Sequence, residues 1–496
     1  MKTRQPDRVV LKEFHIHRFA VLACISVLTL TVAQSAQQRD TLKAAADALG
    51  AERVKTLRIT ASGNNFTVGQ NFAPNDLWPR IAIKSYTALI NYETGSMQLE
   101  LLREMAARMP MGGGVPFTGE LHQIQVVSGN YAWNVPVAEA LVGGPAGPAT
   151  PCTLPEAGGT GWAGPGGSPQ PVPAPESQIE CMIAIWTTPQ GFVKAAMANN
   201  ATATKVRGGG TKVSFTIGGK YKMTGHINSQ NQVDRVQTWI GQAIIGDMLI
   251  DTEYRDYKDL GGVQFPQRIL QKQDGFRSLD LLVTSVIVNP TADISVPDNV
   301  RDTSPSPTVI VNSQKLADDV FWMTGGTHHS LAIGMKDYIV LVDTPNSEER
   351  ALAVMGKTKE LIPGKPIRYV VAMHHHWDHL GGIRAAIDEG AFIVTHQTNR
   401  AFFERLAKAP HTVNPDRLSK SNQPPLKLQT VGDERALTDG TRTINLYTMT
   451  AFDHSADMLM VYLPKEKILA EADAYTPPDT PATPRIAPKV LYAIAL

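Results

Sequence analysis

Residues 368–382, RYVVAMHHHWDHLGG, place an apolar strand directly before a cluster of side chains that can bind a metal. The cluster has the spacing His-x-His-x-Asp-His and consists of His374, His376, Asp378 and His379. Imidazole nitrogens and carboxylate oxygens are ligands of borderline ions such as zinc, and a loop leaving a strand end can bring them together. The alternative, a surface histidine cluster without a metal, requires a chance match on the order of one in a few thousand. His375 lies between the ligand positions and is expected to point away from them.

Around this cluster, in residues 309–496, strand patterns alternate with helix patterns, which predicts an α/β layered architecture. Strands are expected at Tyr338–Val342, Tyr369–Met373 and Ala391–Thr395, and helices at Glu348–Leu361, Leu380–Glu389 and Asn399–Lys408.

Residues 37–300 lack the alternation of strand and helix patterns that is seen in residues 309–496. Leucines and alanines at helical spacing predict a helix over Asp40–Leu49, with Gly50 as its stop signal. Later segments such as Val213–Ile217 alternate apolar and polar residues, as strands do. One helix followed by many strands predicts an α+β domain built on a curved antiparallel sheet. Residues 143–177 are dense in Gly and Pro and are expected to form an exposed insert, and residues 301–308 a linker.

The motif at 374–379 matches the signature of the metallo-beta-lactamase fold superfamily, and the resemblance extends from about Thr324 to Tyr475. It implies an αβ/βα sandwich that binds one or two zinc ions and acts as a hydrolase. The implied ligands of the first metal are His374, His376 and His454, and those of the second are Asp378 and His379, with Asp473 as the bridging carboxylate. Asp343, which ends the strand IVLVDT, resembles the family's acidic residue that orients a ligand-bearing loop.

Four other histidines are weaker candidates. His328 and His329, in TGGTHHSLAI, are expected beside the site, either in contact with substrate or merely packed there. His396 ends a strand and is interpreted as structural or as a support for a ligand. His396 and His411 are the first to consider if an unassigned residue completes the site.

The family's last ligand, a histidine near the end of the domain, has no counterpart, because no histidine follows His454. The chain is therefore interpreted either as a shortened product or as a divergent form with one metal. A second ion is expected to bind more weakly than the first.

In the amino-terminal half, the segments ALGAERVKTLRITASG, DYKDLGGVQFPQRI and LDLLVTSVIVN are similar to the periplasmic lipoprotein-sorting carrier fold. That resemblance implies an apolar groove for a lipid or other hydrophobic ligand. The alternative is a sheet that only packs and docks.

Residues 1–36 combine a basic start, a short apolar run and small residues, which predicts a secretory signal peptide and a periplasmic or secreted protein. An uncleaved single-span anchor is the alternative. No stable membrane span is expected after removal of the signal peptide. Cys152 and Cys181 then remain and are predicted to form a disulfide; two thiols are the alternative. The formal charge of +1 disfavours a nucleic-acid partner.

Together these features predict an exported zinc-dependent hydrolase in which a metal-bound hydroxide attacks a small ester, thioester, lactone, amide or phosphodiester. Asp378 would orient the hydroxide or move its proton. The alternative is a weakly active or inactive metal-binding protein whose sheet domain binds an apolar ligand.

Overall fold

The structure is a computed structural model that describes residues 39–104, 111–113, 120–137, 170–303, 309–476 and 485–486. The predicted signal peptide, Cys152, most of the insert and residues 304–308 of the predicted linker lie outside the described residues.

A single antiparallel sheet dominates the amino-terminal part. Its strands are β1 Thr56–Phe66, β2 Arg80–Asn91, β3 Ser96–Glu104, β4 Glu120–Ser128, β5 Tyr131–Val135, β6 Val172–Pro173, β7 Thr202–Lys205, β8 Thr211–Ile217, β9 Tyr221–Ile227, β10 Val233–Gln242, β11 Gly246–Leu260, β12 Val263–Gln273 and β13 Phe276–Val288. They lie in the order β6-β5-β4-β3-β2-β1-β13-β12-β11-β10-β9-β8-β7, so the first and last strands pair in the middle of the sheet. The predicted antiparallel sheet is therefore confirmed.

Helices cover part of this sheet: α1 at residues 39–49, α2 Gln178–Thr187, α3 Pro189–Ala198 and the short α4 Asp298–Arg301. The predicted first helix is present and is followed by Gly50 in the left-handed conformation, with φ 63°. Helices α2 and α3 were not expected, because their apolar residues follow the Gly/Pro-rich insert without a clear start signal. The last insert residues are not a loop, since β6 adds to the sheet edge.

The carboxy-terminal part is layered. Its strands are β14 Asn312–Ala317, β15 Val320–Thr324, β16 Ser330–Gly334, β17 Ile339–Val342, β18 Ile367–Val371, β19 Phe392–His396, β20 Lys427–Val431, β21 Glu434–Thr438, β22 Thr443–Thr448, β23 Leu459–Leu463, β24 Ile468–Ala470, β25 Tyr475–Thr476 and β26 Arg485–Ile486. The first seven form one sheet, parallel from β17 to β20, and β21–β24 form a second. One apolar cluster contains buried residues of both sheets, among them Val371 and Val461.

The helices of this part are α5 Glu348–Leu361, α6 Trp377–Leu380, α7 Ile383–Asp388, α8 Arg400–Lys408 and α9 Arg417–Lys420. The helix predicted over 380–389 is instead two short helices, α6 and α7, separated at Gly381 and Gly382. A Cβ on Gly381 would lie 1.8 Å from the carbonyl oxygen of Asn346, so the chain approaches the start of α5 more closely than a side chain permits.

The two parts share buried surface. A second apolar cluster includes side chains of the large sheet together with Trp377 and Ile383. Trp78 stacks on Phe276 and meets the edge of the Trp377 ring, with ring centroids 5.8 Å apart. The part that carries the histidine motif is therefore packed directly against the sheet. Within the described residues, no helix is long and apolar enough to cross a membrane.

Candidate metal centre

The histidine motif occupies the loop and short helix that follow β18, at the carboxyl end of a buried parallel strand. The strand ends at Val371, and the chain then passes through His374 and His376 into α6, which carries Asp378 and His379. Ligands at the carboxyl ends of strands are a general property of parallel α/β sheets.

Four side chains form the first group: His374, His376, His454 and Asp473. Their potential ligand atoms all lie within 4.8 Å of one another. Asp473 Oδ2 is 3.3 Å from His374 Nε2 and 3.1 Å from His454 Nε2. The structure thus brings together two motif histidines and two residues that lie about 80 to 100 positions later, as the resemblance implied.

The chemistry of this group fits a metal ion. His376 Nδ1 is buried and has no hydrogen-bond partner among the described residues. Burial lowers the pKa of His374 and, more strongly, that of His376, so both imidazoles are neutral near pH 7. A neutral imidazole with an unused, buried nitrogen is the form that coordinates zinc.

Asp473 has the electrostatics expected of a carboxylate among imidazoles. Its burial alone would raise its pKa, but the interactions with His379, His374 and His454 outweigh this and hold the pKa well below the ordinary value. The side chain remains 23% exposed, so the centre is open to solvent on this side.

A second group contains His328, Asp378 and His379. His328 Nε2 lies 3.4 Å from Asp378 Oδ2, and His379 Nε2 lies 3.0 Å from Asp473 Oδ2 in the first group. The two groups are therefore adjacent, and Asp473 lies between them.

Asp343 contacts this loop in the way that the family resemblance implied. Its Oδ2 accepts a hydrogen bond from His379 Nδ1 at 2.9 Å, and its Oδ1 accepts one from the Met373 amide at 2.9 Å. A single buried carboxylate thus fixes both the ring of one potential ligand and the backbone just before the motif.

Residues of the large sheet's loops also touch the centre. His376 Nε2 donates to the backbone carbonyl of Asn71 at 2.9 Å, and Gln70 Nε2 donates to Asp378 Oδ1 at 2.9 Å. The Ala456 amide donates to the carbonyl of Phe72, so the loop that carries His454 is held by the same segment. No sequence signal pointed to these contacts, because a backbone carbonyl and a lone glutamine more than 300 positions away form no motif.

The remaining candidates take structural positions. His375 is buried and contacts Asp457 Oδ1 through Nδ1 at 2.7 Å, away from the first group, as expected. His396 Nδ1 faces Thr398 Oγ1 at 2.8 Å, and His411 Nδ1 lies 3.6 Å from Asp416. Neither belongs to a ligand group among the described residues. His329 packs its ring against Trp322.

The disulfide remains a prediction. Cys181 is buried in α2, and its proposed partner Cys152 lies outside the described residues.

The chain shows similarity to solved structures and to a family model. Two solved structures are similar: a metallo-beta-lactamase from Pontibacter korlensis, at 23% identity over 34% of this chain and 75% of that one, and the DIM-1 metallo-beta-lactamase, at 21% identity over 34% and 73%. Both have a TM-score of 0.27. A comparison with curated proteins finds no match. Residues 323–493 match the family model described as the metallo-beta-lactamase superfamily.

Proposed function

We propose that this chain is an exported zinc-dependent hydrolase. The observation that carries the proposal is the convergence of His374, His376 and His454 on Asp473 at the partly open end of a buried strand. The match of residues 323–493 to the metallo-beta-lactamase superfamily supports a metal-dependent hydrolytic reaction.

When bound at the first group, a zinc ion would lower the pKa of a coordinated water and polarise the bond under attack. Other residues of the chain form hydrogen bonds that orient the potential ligand side chains. Asn71 holds the Nε2–H of His376, which leaves Nδ1 of that ring for coordination. Gln70 donates a hydrogen bond to Asp378 Oδ1 and so helps to fix the orientation of this carboxylate.

The proposed substrate is a small molecule with an ester, thioester, lactone, amide or phosphodiester bond. The centre has the ligands for generic water activation, and this chemistry serves each of these bonds. Substrate choice within this set depends on the walls of the site rather than on the ligands.

The proposal is tested by comparing His376→Ala with His122→Ala. His122 is a sheet histidine that pairs with Glu100 and lies in neither ligand group, so it controls for the loss of one imidazole. We expect His376→Ala to lose most of its zinc and its hydrolysis of a panel of chromogenic esters, lactones, phosphodiesters and beta-lactams, while His122→Ala keeps both. Wild-type protein that contains no zinc after a zinc-replete preparation, or zinc-loaded protein inactive on the whole panel, would refute the proposal.

Export is proposed from the basic, apolar and small-residue segments of residues 1–36. The amino-terminal sequence of protein recovered from the exported fraction should begin shortly after Ala36. A chain that retains residues 1–36 in the cell interior would contradict this.

The alternative of an apolar ligand in the sheet would need an apolar groove, and one cavity on the sheet has several charged side chains in its lining. This cavity has a volume of about 650 Å³ and lies on β8–β11, where Lys212, Arg235, Arg255, Asp234 and Glu253 line it. These charged side chains make this particular cavity a poor fit for an acyl chain.

A further inference from the structure

We propose that His328 is a metal ligand and completes a second metal position with Asp378 and His379. The inference rests on the proposed function for the first position, and it adds a ligand that precedes the motif in the chain. The family resemblance assigned only Asp378, His379 and the shared Asp473 to this position. His328 lies in the loop between β15 and β16, and this loop places its imidazole beside Asp378 and His379.

The geometry of the three side chains suits a small cation. Their potential ligand atoms all lie within 4.8 Å of one another, and His328 Nε2 is 3.4 Å from Asp378 Oδ2. The rings of His328 and His379 have centroids 4.8 Å apart and are nearly perpendicular, at 83°. Two imidazoles and a carboxylate are a common set of protein ligands for zinc.

Each of the three side chains has its second polar atom held by another residue. Asp343 binds His379 Nδ1, and Gln70 binds Asp378 Oδ1. His328 Nδ1 lies 3.0 Å from Thr327 Oγ1 and can donate its proton there. Asn346 Nδ2 donates to the same hydroxyl oxygen at 3.0 Å, which fixes its place.

Such outer hydrogen bonds select the tautomer and the ring orientation of a metal ligand. With protons on Nδ1 of both rings, the Nε2 lone pair of His328 faces Asp378 Oδ2, and that of His379 faces Asp473 Oδ2. The three free ligand atoms therefore belong to one centre, and Asp473 is placed to be shared with the first position.

The next residue, His329, differs from His328 in its contacts. Its ring packs edge-on against Trp322, with centroids 5.0 Å apart, and it belongs to neither ligand group. The pair His328 and His329 thus offers two adjacent imidazoles of which only the first faces the centre.

Metal content tests the proposal without a substrate. We expect wild-type protein equilibrated with buffered zinc to bind two ions per chain, His329→Ala to bind two, and His328→Ala to bind the second ion at least about tenfold more weakly. His376→Ala should lose the other ion. If His328→Ala binds both ions as tightly as the wild type does, or if the wild type binds only the ion that His376→Ala loses, the proposal is wrong while the proposed function stands.

Cobalt spectroscopy provides a direct readout of ligation. In His328→Cys loaded with cobalt(II), a thiolate at this position should bind the ion and give a thiolate-to-cobalt charge-transfer band that the wild type lacks. His329→Cys should show no such band. A band of equal strength in both variants, or in neither, would overturn the assignment. If His328→Cys gives the band but the wild type hydrolyses nothing, the metal position stands and the proposed function fails.

Discussion

A single methyl group added at Gly69 should disturb the metal centre from the sheet side. Gly69 has φ +75°, and a Cβ built on it would lie 2.4 Å from Cδ2 of Trp377, the residue between His376 and Asp378. Trp377 is buried, and Trp78 meets its ring, so the indole cannot simply turn away. Gly69→Ala must therefore move Trp377 or displace the segment that carries Gln70 and Asn71.

Gly129→Ala is the matched control. Gly129 also has a left-handed conformation, φ +58°, but a Cβ at this position would have no heavy atom beyond its chain neighbours within 4 Å. Both variants carry the backbone strain of a left-handed alanine, roughly 1–2 kcal/mol. Only Gly69→Ala adds the cost of overpacking, about 1–3 kcal/mol. The difference between the two variants therefore measures the clash with Trp377.

The assay combines urea unfolding followed by tryptophan fluorescence with zinc affinity measured against a competing chelator. We expect Gly69→Ala to be less stable than Gly129→Ala by about 1–3 kcal/mol. Its zinc affinity should fall about 10- to 100-fold, the usual cost of disturbing residues that orient metal ligands, while Gly129→Ala keeps wild-type affinity. Equal zinc affinity in the two variants would refute the view that the sheet segment supports the centre.

Three further outcomes are expected. Burial raises the pKa of Asp416, but hydrogen bonds from Arg384 and the Ser419 amide outweigh this and lower it below the ordinary value. The resulting stability is present above the unfolded pKa and is lost as the pH falls through the folded pKa. Asp416→Asn should thus cost about 1.5–3 kcal/mol at pH 7 and flatten the acid side of a plot of Tm against pH; an unchanged slope would contradict this. Exported protein, denatured without reductant, should show no free thiol from Cys152 and Cys181, and two reactive thiols would exclude the disulfide. Proteolysis within residues 304–307 should release a carboxy-terminal fragment, and separation from Gln70 and Asn71 should weaken its zinc binding about tenfold; full affinity in the isolated fragment would show that the sheet is dispensable.

The histidine motif and the strand patterns could be predicted from the sequence because each depends on residues that are close together in the chain. Residues 374–379 follow one strand on one loop, so their spacing alone predicts that they converge. Likewise, β8 buries Val213, Phe215 and Ile217 because strand alternation places them on one face.

Contacts between distant segments could not be predicted in the same way. Asn71 contacts His376 through its backbone carbonyl, and because every residue has such a group, the residue type does not indicate the contact. His328 and His329 are identical in sequence terms, and only the path of the loop after β15 decides which ring faces Asp378. The position of His396 at a strand end suggested that it supports a metal ligand. Its ring instead forms a hydrogen bond with Thr398, two residues later, and such a local bond competes with a contact to the metal centre.

The position of β1 in the sheet affects how the chain reaches its native state. Leu57 of β1 pairs with Val288 of β13. The second neighbour of β1 is therefore available only after almost the whole amino-terminal half has been synthesised. Such non-local pairing has a high contact order and folds slowly, with unpaired strand edges exposed meanwhile. An export route that holds the chain unfolded until β13 has crossed the membrane would let both edges of β1 pair at once. Expression yield should therefore depend more on chaperones and temperature than the stability of the finished sheet would suggest.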